Sequence, residues 1–241
     1  MRPLRSFLII AAFISAAFLP RPPGFAAEFV IAVDIGHSPA NPGALSARNR
    51  PEYDYNRKMA SVFSRELSKN PRFRVVIINP KGNDISLARR AELINNTKPD
   101  LLVSVHHNST REHHLSACTV RGKPARFCNL FRGYSVFVSE KNPKYAAGRA
   151  FALRIGEQMR KAGFLPSNHP IEIAEGKEPI DIGRGVYRYD NLVVLRDVKC
   201  PALLLECGII KNRSEEMFLR NRSYRLRLAK SVRAAIESTL K

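Results

Sequence analysis

Residues 101–110 read LLVSVHHNST. Leu101, Leu102, Val103 and Val105 make an almost unbroken apolar run, interrupted only by Ser104. A strand apolar on both faces belongs in a sheet that helices cover on both sides. The run then ends in His106, His107 and Asn108. In open α/β sheets, ligands bind beyond the carboxyl ends of strands. Polar, metal-capable groups at such an end therefore point to a site on the sheet's rim. The competing reading is a surface loop that happens to begin with two histidines.

Working outward, the same kind of run recurs. EFVIAVDIG (28–36), FRVVIINP (73–80), GYSVFVSE (133–140), YDNLVVLRD (189–197) and CPALLLECG (200–208) all read as strands. Between them lie helical patterns. From Glu52, Tyr55, Met59, Val62, Phe63 and Leu67 recur at helical spacing. Residues 84–99 put Leu87, Ala91 and Ile94 on one face, with Asp84 as the expected N-cap. A long helix over 144–163 stops at Gly163, and a final helical stretch over 214–240 breaks near Asn221. Residues 164–185 are rich in Pro, Gly and charge and read mostly as loop. The alternation predicts one α/β domain over residues 28–241. Its central sheet has about six strands, mostly parallel or mixed, with helices on both faces.

Residues 1–27 read differently. Arg2 and Arg5 precede an apolar run from Phe7 to Leu19, and small residues follow at Ala26 and Ala27. That order is a secretory signal, and the run falls short of the ~20 residues of a membrane span. The expected product is exported, periplasmic or extracellular, with no stable membrane insertion after cleavage. The formal net charge is +19, and without Arg2, Arg5 and Arg21 it is still +16 (19 − 3). In an exported protein, such charge favours polyanionic partners such as an acidic cell wall. The basic residues are scattered and no nucleic-acid-binding signature is present, so no nucleic-acid partner is expected. A monomer is expected.

Four cysteines in an exported chain allow disulfides. Cys118 and Cys128 flank a basic Gly/Pro-containing loop and are expected to pair. Cys200 and Cys207 flank PALLLE, whose extended form holds its ends roughly 20 Å apart, so they are not expected to pair with each other.

Three expected strands end in reactive groups. VDIGH ends at His37, LVSVHH at His106 and His107, and ALLLE at Glu206. Glu52 opens the helix after the first loop. Two imidazoles and a carboxylate form a catalytic zinc set, and a further carboxylate then serves as base. Each group alone has a plain structural reading, since an acid at a helix start also suits the helix dipole. Glu206 after three leucines needs a partner, and an arginine such as Arg184 or Arg196 would serve. Spacing alone leaves the zinc reading and the structural one both standing.

A family resemblance goes further. DIGHSPANPG (34–43), PEYDYN (51–56), SVHHN (104–108) and PALLLECGIIKN (201–212) stand in order along the chain. GVYRYDNLVVLRD (185–197) leads into the last of them. Together they resemble the motifs of the zinc-dependent N-acetylmuramoyl-L-alanine amidases of the amidase-3 family. Departures are Ile35 for a proline, Ser38-Pro39 for a glycine pair, and Ile209-Ile210 in part of a glycine–phenylalanine ending. The resemblance implies one zinc ion held by His37, Glu52 and His106, with Glu206 as general base. Strand alternation sends His106 and His107 to opposite faces, and the resemblance assigns the metal to His106. His107 then stands behind the ligands, faces the substrate, or is merely packed.

The implied reaction is hydrolysis of the amide joining N-acetylmuramic acid to L-alanine of the peptidoglycan stem peptide. The alternatives are an exported zinc peptidase acting on other peptides and a non-catalytic wall-binding module. Some relatives carry an inserted helix that occludes the metal until an activator displaces it. Residues 163–185 show no convincing amphipathic helix, so basal activity without an activator is expected.

Overall fold

The computed structural model describes residues 28–169 and 176–240. The expected leader, 1–27, lies outside the described residues. The expected apolar runs form strands β1 (Phe29–Ile35), β2 (Phe73–Ile78), β3 (Leu101–Asn108) and β6 (Ser135–Val138). Further strands are β4 (Ser116–Val120), β5 (Lys123–Phe127), β7 (Glu178–Asp181), β8 (Val186–Arg188) and β9 (Ala202–Ile209). Seven of them build one mixed sheet in the order β2-β1-β3-β9-β6-β8-β7. Strands β2, β1, β3 and β9 run parallel, and β6 turns antiparallel to β9. A parallel β8 and an antiparallel β7 complete that edge.

Helices are α1 (Glu52–Leu67), α2 (Leu87–Asn96), α3 (Tyr145–Lys161), α4 (Val193–Asp197), α5 (Arg213–Arg220) and α6 (Arg222–Thr239). Alternation along the strands sorts the core. Ile31, Val33, Leu101, Val103, Leu203 and Leu205 pack against Met59 and Phe63 of α1, Ile155 and Met159 of α3, and Val232 of α6. Ala32, Leu102 and Leu204 face the other way, toward Ile94 of α2 and Leu195 of α4. Burying each large aliphatic or aromatic side chain contributes about 1.5–3 kcal/mol, so these two layers carry the fold. The chain is a single α/β domain with helices on both faces.

Four local expectations differ from the structure. The run at 189–197 is a short helix at its end, not a strand. Strand β8 takes the place beside β6, and Asn142 Nδ2 donates to the Leu195 and Val198 carbonyls to fix the helical turn. A short apolar run does not tell strand from helix by periodicity. The cap of α2 is Ser86, which accepts from the Arg89 amide, and Asp84 has other work. Residues 116–127 form the β4–β5 hairpin rather than a plain loop. That hairpin also corrects the expected Cys118–Cys128 bond: Cys118 pairs across from Ala125, three positions short of Cys128. All four cysteines are free thiols. The break near Asn221 is present, and Asn221 caps α6 by accepting from the Tyr224 amide.

Candidate metal centre

Strands β1 and β3 lie side by side and end together, which brings His37 and His106 to one rim. The 38–51 loop then folds back. Ser38 Oγ and Asn41 Nδ2 both donate to Asp84, at 2.9 and 2.8 Å, and this is what occupies the expected cap residue. At the loop's far end, the Glu52 amide donates to the Ala44 carbonyl and the Tyr53 amide to Pro42. Glu52 therefore opens α1 directly beneath the two histidines.

The geometry is close. Glu52 Oε2 lies 3.1 Å from His37 Nε2, and Oε1 lies 3.1 Å from His106 Nδ1. One potential ligand atom from each residue falls within 4.8 Å of the others. Two ligands about 2 Å from a tetrahedral ion sit roughly 3.3 Å apart, so the donor set and its spacing fit zinc. Glu52 is buried, its side chain 6% exposed, whereas His37 and His106 keep 32% and 19%. The cluster is thus closed below and open above. Burial pulls the Glu52 carboxyl up, but hydrogen bonds and charge from His106 and His37 outweigh it and hold it well below the usual range.

Supporting residues fix each of the three. Asn56, one turn after Glu52, donates from Nδ2 to Glu52 Oε1 and to the Gly36 carbonyl, both at 3.1 Å. The Ala44 amide donates to Glu52 Oε2 at 3.2 Å. Arg90 of α2 is buried and donates to Asp34 Oδ1 (2.7 Å) and to the carbonyls of Ile35 (2.6 Å) and His37 (3.0 Å). Ser104 Oγ donates to the second Asp34 oxygen at 2.7 Å. This clamp holds His37 in a left-handed conformation, φ 67°, which non-glycine residues rarely adopt. Glycine is required nearby for space: a Cβ on Gly36 would stand 2.3 Å from the His106 ring.

His106 and His107 part as alternation demands. His106 faces a cleft of about 430 Å³ whose walls include Ile85, Leu87, Leu192 and Val193. His107 turns inward, 1% exposed, with Nδ1 2.7 Å from Asn56 Oδ1 and its ring against Tyr55. Burial pushes its pKa down to about 3, so it is neutral. Glu206 stands in register with His106 on the neighbouring strand β9, hence on the same face. Arg184 and Arg196 pair with Asp181 and Asp197. Beyond Glu206, the chain is pinned by buried Glu215, which accepts from the Ile209 and Gly133 amides.

Residues 31–238 match the amidase-3 family, N-acetylmuramoyl-L-alanine amidase. The chain belongs to the amidase-3 family. Among curated relatives of this chain is a Haemophilus influenzae protein named probable N-acetylmuramoyl-L-alanine amidase AmiB. The two are 28% identical over 222 residues, which cover 85% of this chain and 50% of that protein. The chain thus spans about half the length of that relative. The N-acetylmuramoyl-L-alanine amidase of Clostridium difficile 630 superposes with a TM-score of 0.69 at 25% identity, covering 89% of this chain and 98% of that one. An apo N-acetylmuramyl-L-alanine amidase from Mycobacterium abscessus shares the fold, with a TM-score of 0.71 at 19% identity over 90% of this chain and all of that one.

The sequence brought His37, Glu52, His106 and Glu206 forward but not the residues that hold them. Arg90 was not among the residues the sequence brought forward. Ser38, a departure from the family motif, is the residue that hooks the loop to Asp84. Part of the expected loop over 163–185, residues 170–175, lies outside the described residues.

Proposed function

We propose that the chain is an exported hydrolase of the amide between N-acetylmuramic acid and L-alanine in peptidoglycan, with one zinc ion held by His37, Glu52 and His106. The observation that carries this reading is the convergence of those three side chains on the open rim, with Glu206 beside them in register. Zinc bound there would polarise the scissile carbonyl and lower the pKa of a water to about 7. The chain's own residues do the rest. Glu206 accepts a proton from the attacking water and returns it to the alanine nitrogen as the C–N bond breaks. Arg90 and Asn56 keep His37 and Glu52 in place, so little reorganisation precedes the chemistry. Leu87 and Leu192 give the cleft beside the reacting groups an apolar wall. The exposed imidazoles leave the site open to substrate, and we read basal activity as independent of an activator. The basic surface and the leader at 1–27 support a wall polymer outside the cytoplasm as the substrate.

The test combines zinc content with digestion of purified sacculi, the products identified by mass spectrometry. Release of intact stem peptides beginning at L-alanine supports the reading, and other cut points refute it. Glu206→Gln keeps the shape and removes the base. It should stay folded and zinc-loaded and be slower by roughly 10²–10⁴-fold. Near-normal turnover would leave Glu206 structural.

A further inference from the structure

On the face of the sheet away from the cleft, α1 meets the α5–α6 junction around a recess of about 210 Å³. Arg50, Asp54 and Lys58 line it from α1 and the preceding loop, and Arg220 and Arg225 line it from the junction. Four cations thus face one carboxylate. Among the described residues, none of the four is in an ion pair. Arg48, on the same loop as Arg50, by contrast holds Glu216. Arg225 is the innermost. Its Nη1 donates to the Leu219 carbonyl at 2.9 Å, while its buried Nε has no hydrogen-bond partner. A buried donor left unsatisfied is costly, and a guanidinium more so. Tyr55 on the same wall is already committed, its hydroxyl donating to Glu216 at 2.7 Å.

We propose that this recess binds a phosphate group. Guanidinium forks match phosphate oxygens in bidentate geometry. A phosphate monoester carries about −1.5 to −2 at neutral pH, which answers this excess of cations better than the single charge of a carboxylate. The volume is below the ~300 Å³ at which whole drug-sized ligands are enclosed, so the recess takes the anionic group and leaves the rest of the ligand outside. Two sources present that chemistry: a soluble phosphate or monoester, and the monoester headgroup of phosphatidic acid. The recess is separate from the metal cleft but backs onto it. The Tyr55 ring packs on His107, whose Nδ1 bonds Asn56, which in turn holds Glu52.

The test is titration of the purified protein with inorganic phosphate at constant ionic strength, followed by calorimetry and by thermal midpoint. Binding should saturate, and chloride at the same ionic strength should not reproduce the stabilisation. Lys58→Gln and Arg220→Gln alter exposed side chains, so both should fold normally and each bind phosphate about tenfold more weakly or worse. Arg225→Gln should weaken binding further, and the two exposed variants carry the test if it does not fold. Sedimentation with phosphatidic acid vesicles, against phosphatidylcholine, separates the sources. Capture that inorganic phosphate reverses supports a lipid headgroup in the recess. Phosphate binding without capture supports a soluble ligand. Unchanged phosphate affinity in both exposed variants, or stabilisation that chloride matches, would overturn the proposal.

Discussion

Gly43→Ala tests the proposed metal centre without touching any of its three side chains. Gly43 has φ 74°, and a Cβ there would stand 2.5 Å from Glu52 Oε2 and 2.7 Å from His37 Nε2. Two effects follow, and a second glycine separates them. Gly122, in the β4–β5 turn, has the same φ of 74° with nothing within 4 Å of its added Cβ. Left-handed backbone costs a non-glycine residue about 1–2 kcal/mol, so Gly122→Ala should lower stability by that amount and nothing else. For a domain of this size, each kcal/mol lowers the midpoint by about 2–4 °C. Gly43→Ala carries the same strain and must also push a carboxylate and an imidazole outward by about 1 Å to reach ordinary contact distance. A displacement of that size in a catalytic constellation costs on the order of 100-fold. The assays are zinc content after dialysis against a weak chelator, thermal midpoint, and sacculus digestion. Gly43→Ala should lose zinc and activity at a stability near that of Gly122→Ala. Full zinc and full activity in Gly43→Ala would refute the placement of Glu52 and His37 as ligands. Equal loss of zinc in both variants would make the effect global rather than local.

Three further outcomes are expected. His106→Ala should abolish bound zinc, whereas His107→Ala should keep most of it and lose stability through its contacts with Asn56 and Tyr55; the reverse result moves the ligand by one residue. Arg90→Met leaves the buried Asp34 charge without its guanidinium and should destabilise by about 3–5 kcal/mol in urea unfolding, and an unchanged midpoint would remove Arg90 as the clamp of His37. Burial raises the Glu215 pKa to about 7, against the pull of the Ile209 and Gly133 amides, so its contribution to stability is full below about pH 4.5 and is lost as pH rises through 7. Glu215→Gln should flatten that part of the stability–pH curve, worth about 3 kcal/mol, and parallel curves for the two proteins would refute the shift.

The strands of the parallel half were legible because each is a short, largely apolar run bounded by loop residues and set between helical patterns. Glu52 was legible as a helix start and Asn221 as a break, because capping chemistry is local. The residues that were not legible act over long distances. Arg90 and Asp34 are 56 positions apart, and only the packing of α2 across the ends of β1 and β3 brings them together. Asn56 did carry a signal, since it follows Glu52 at i+4 and must share its helix face. The β4–β5 hairpin was hidden because its strands are short and mostly exposed, so no alternation of buried residues marks them. The disulfide expectation failed for the same reason: it took a paired hairpin for an unstructured loop.

The alternation of β3 ties the site to the core. His106 projects into the cleft, while the next residue, His107, projects into the layer beneath α1. Through Asn56, the buried imidazole holds the carboxylate that the exposed imidazole faces. Glu52 therefore receives its position from the core and offers its charge to the rim. The two oxygens of this buried carboxylate face one imidazole each. On the proposed reading a cation would take the same three groups as ligands, and its binding free energy would act on the packing of α1 against β1 and β3. Ligand binding to the native state alone stabilises it by mass action. Metal occupancy here should thus be felt first at the start of α1 and in the 38–51 loop, because Glu52 opens α1 and the amides of Glu52 and Tyr53 hold the loop's Ala44 and Pro42 carbonyls.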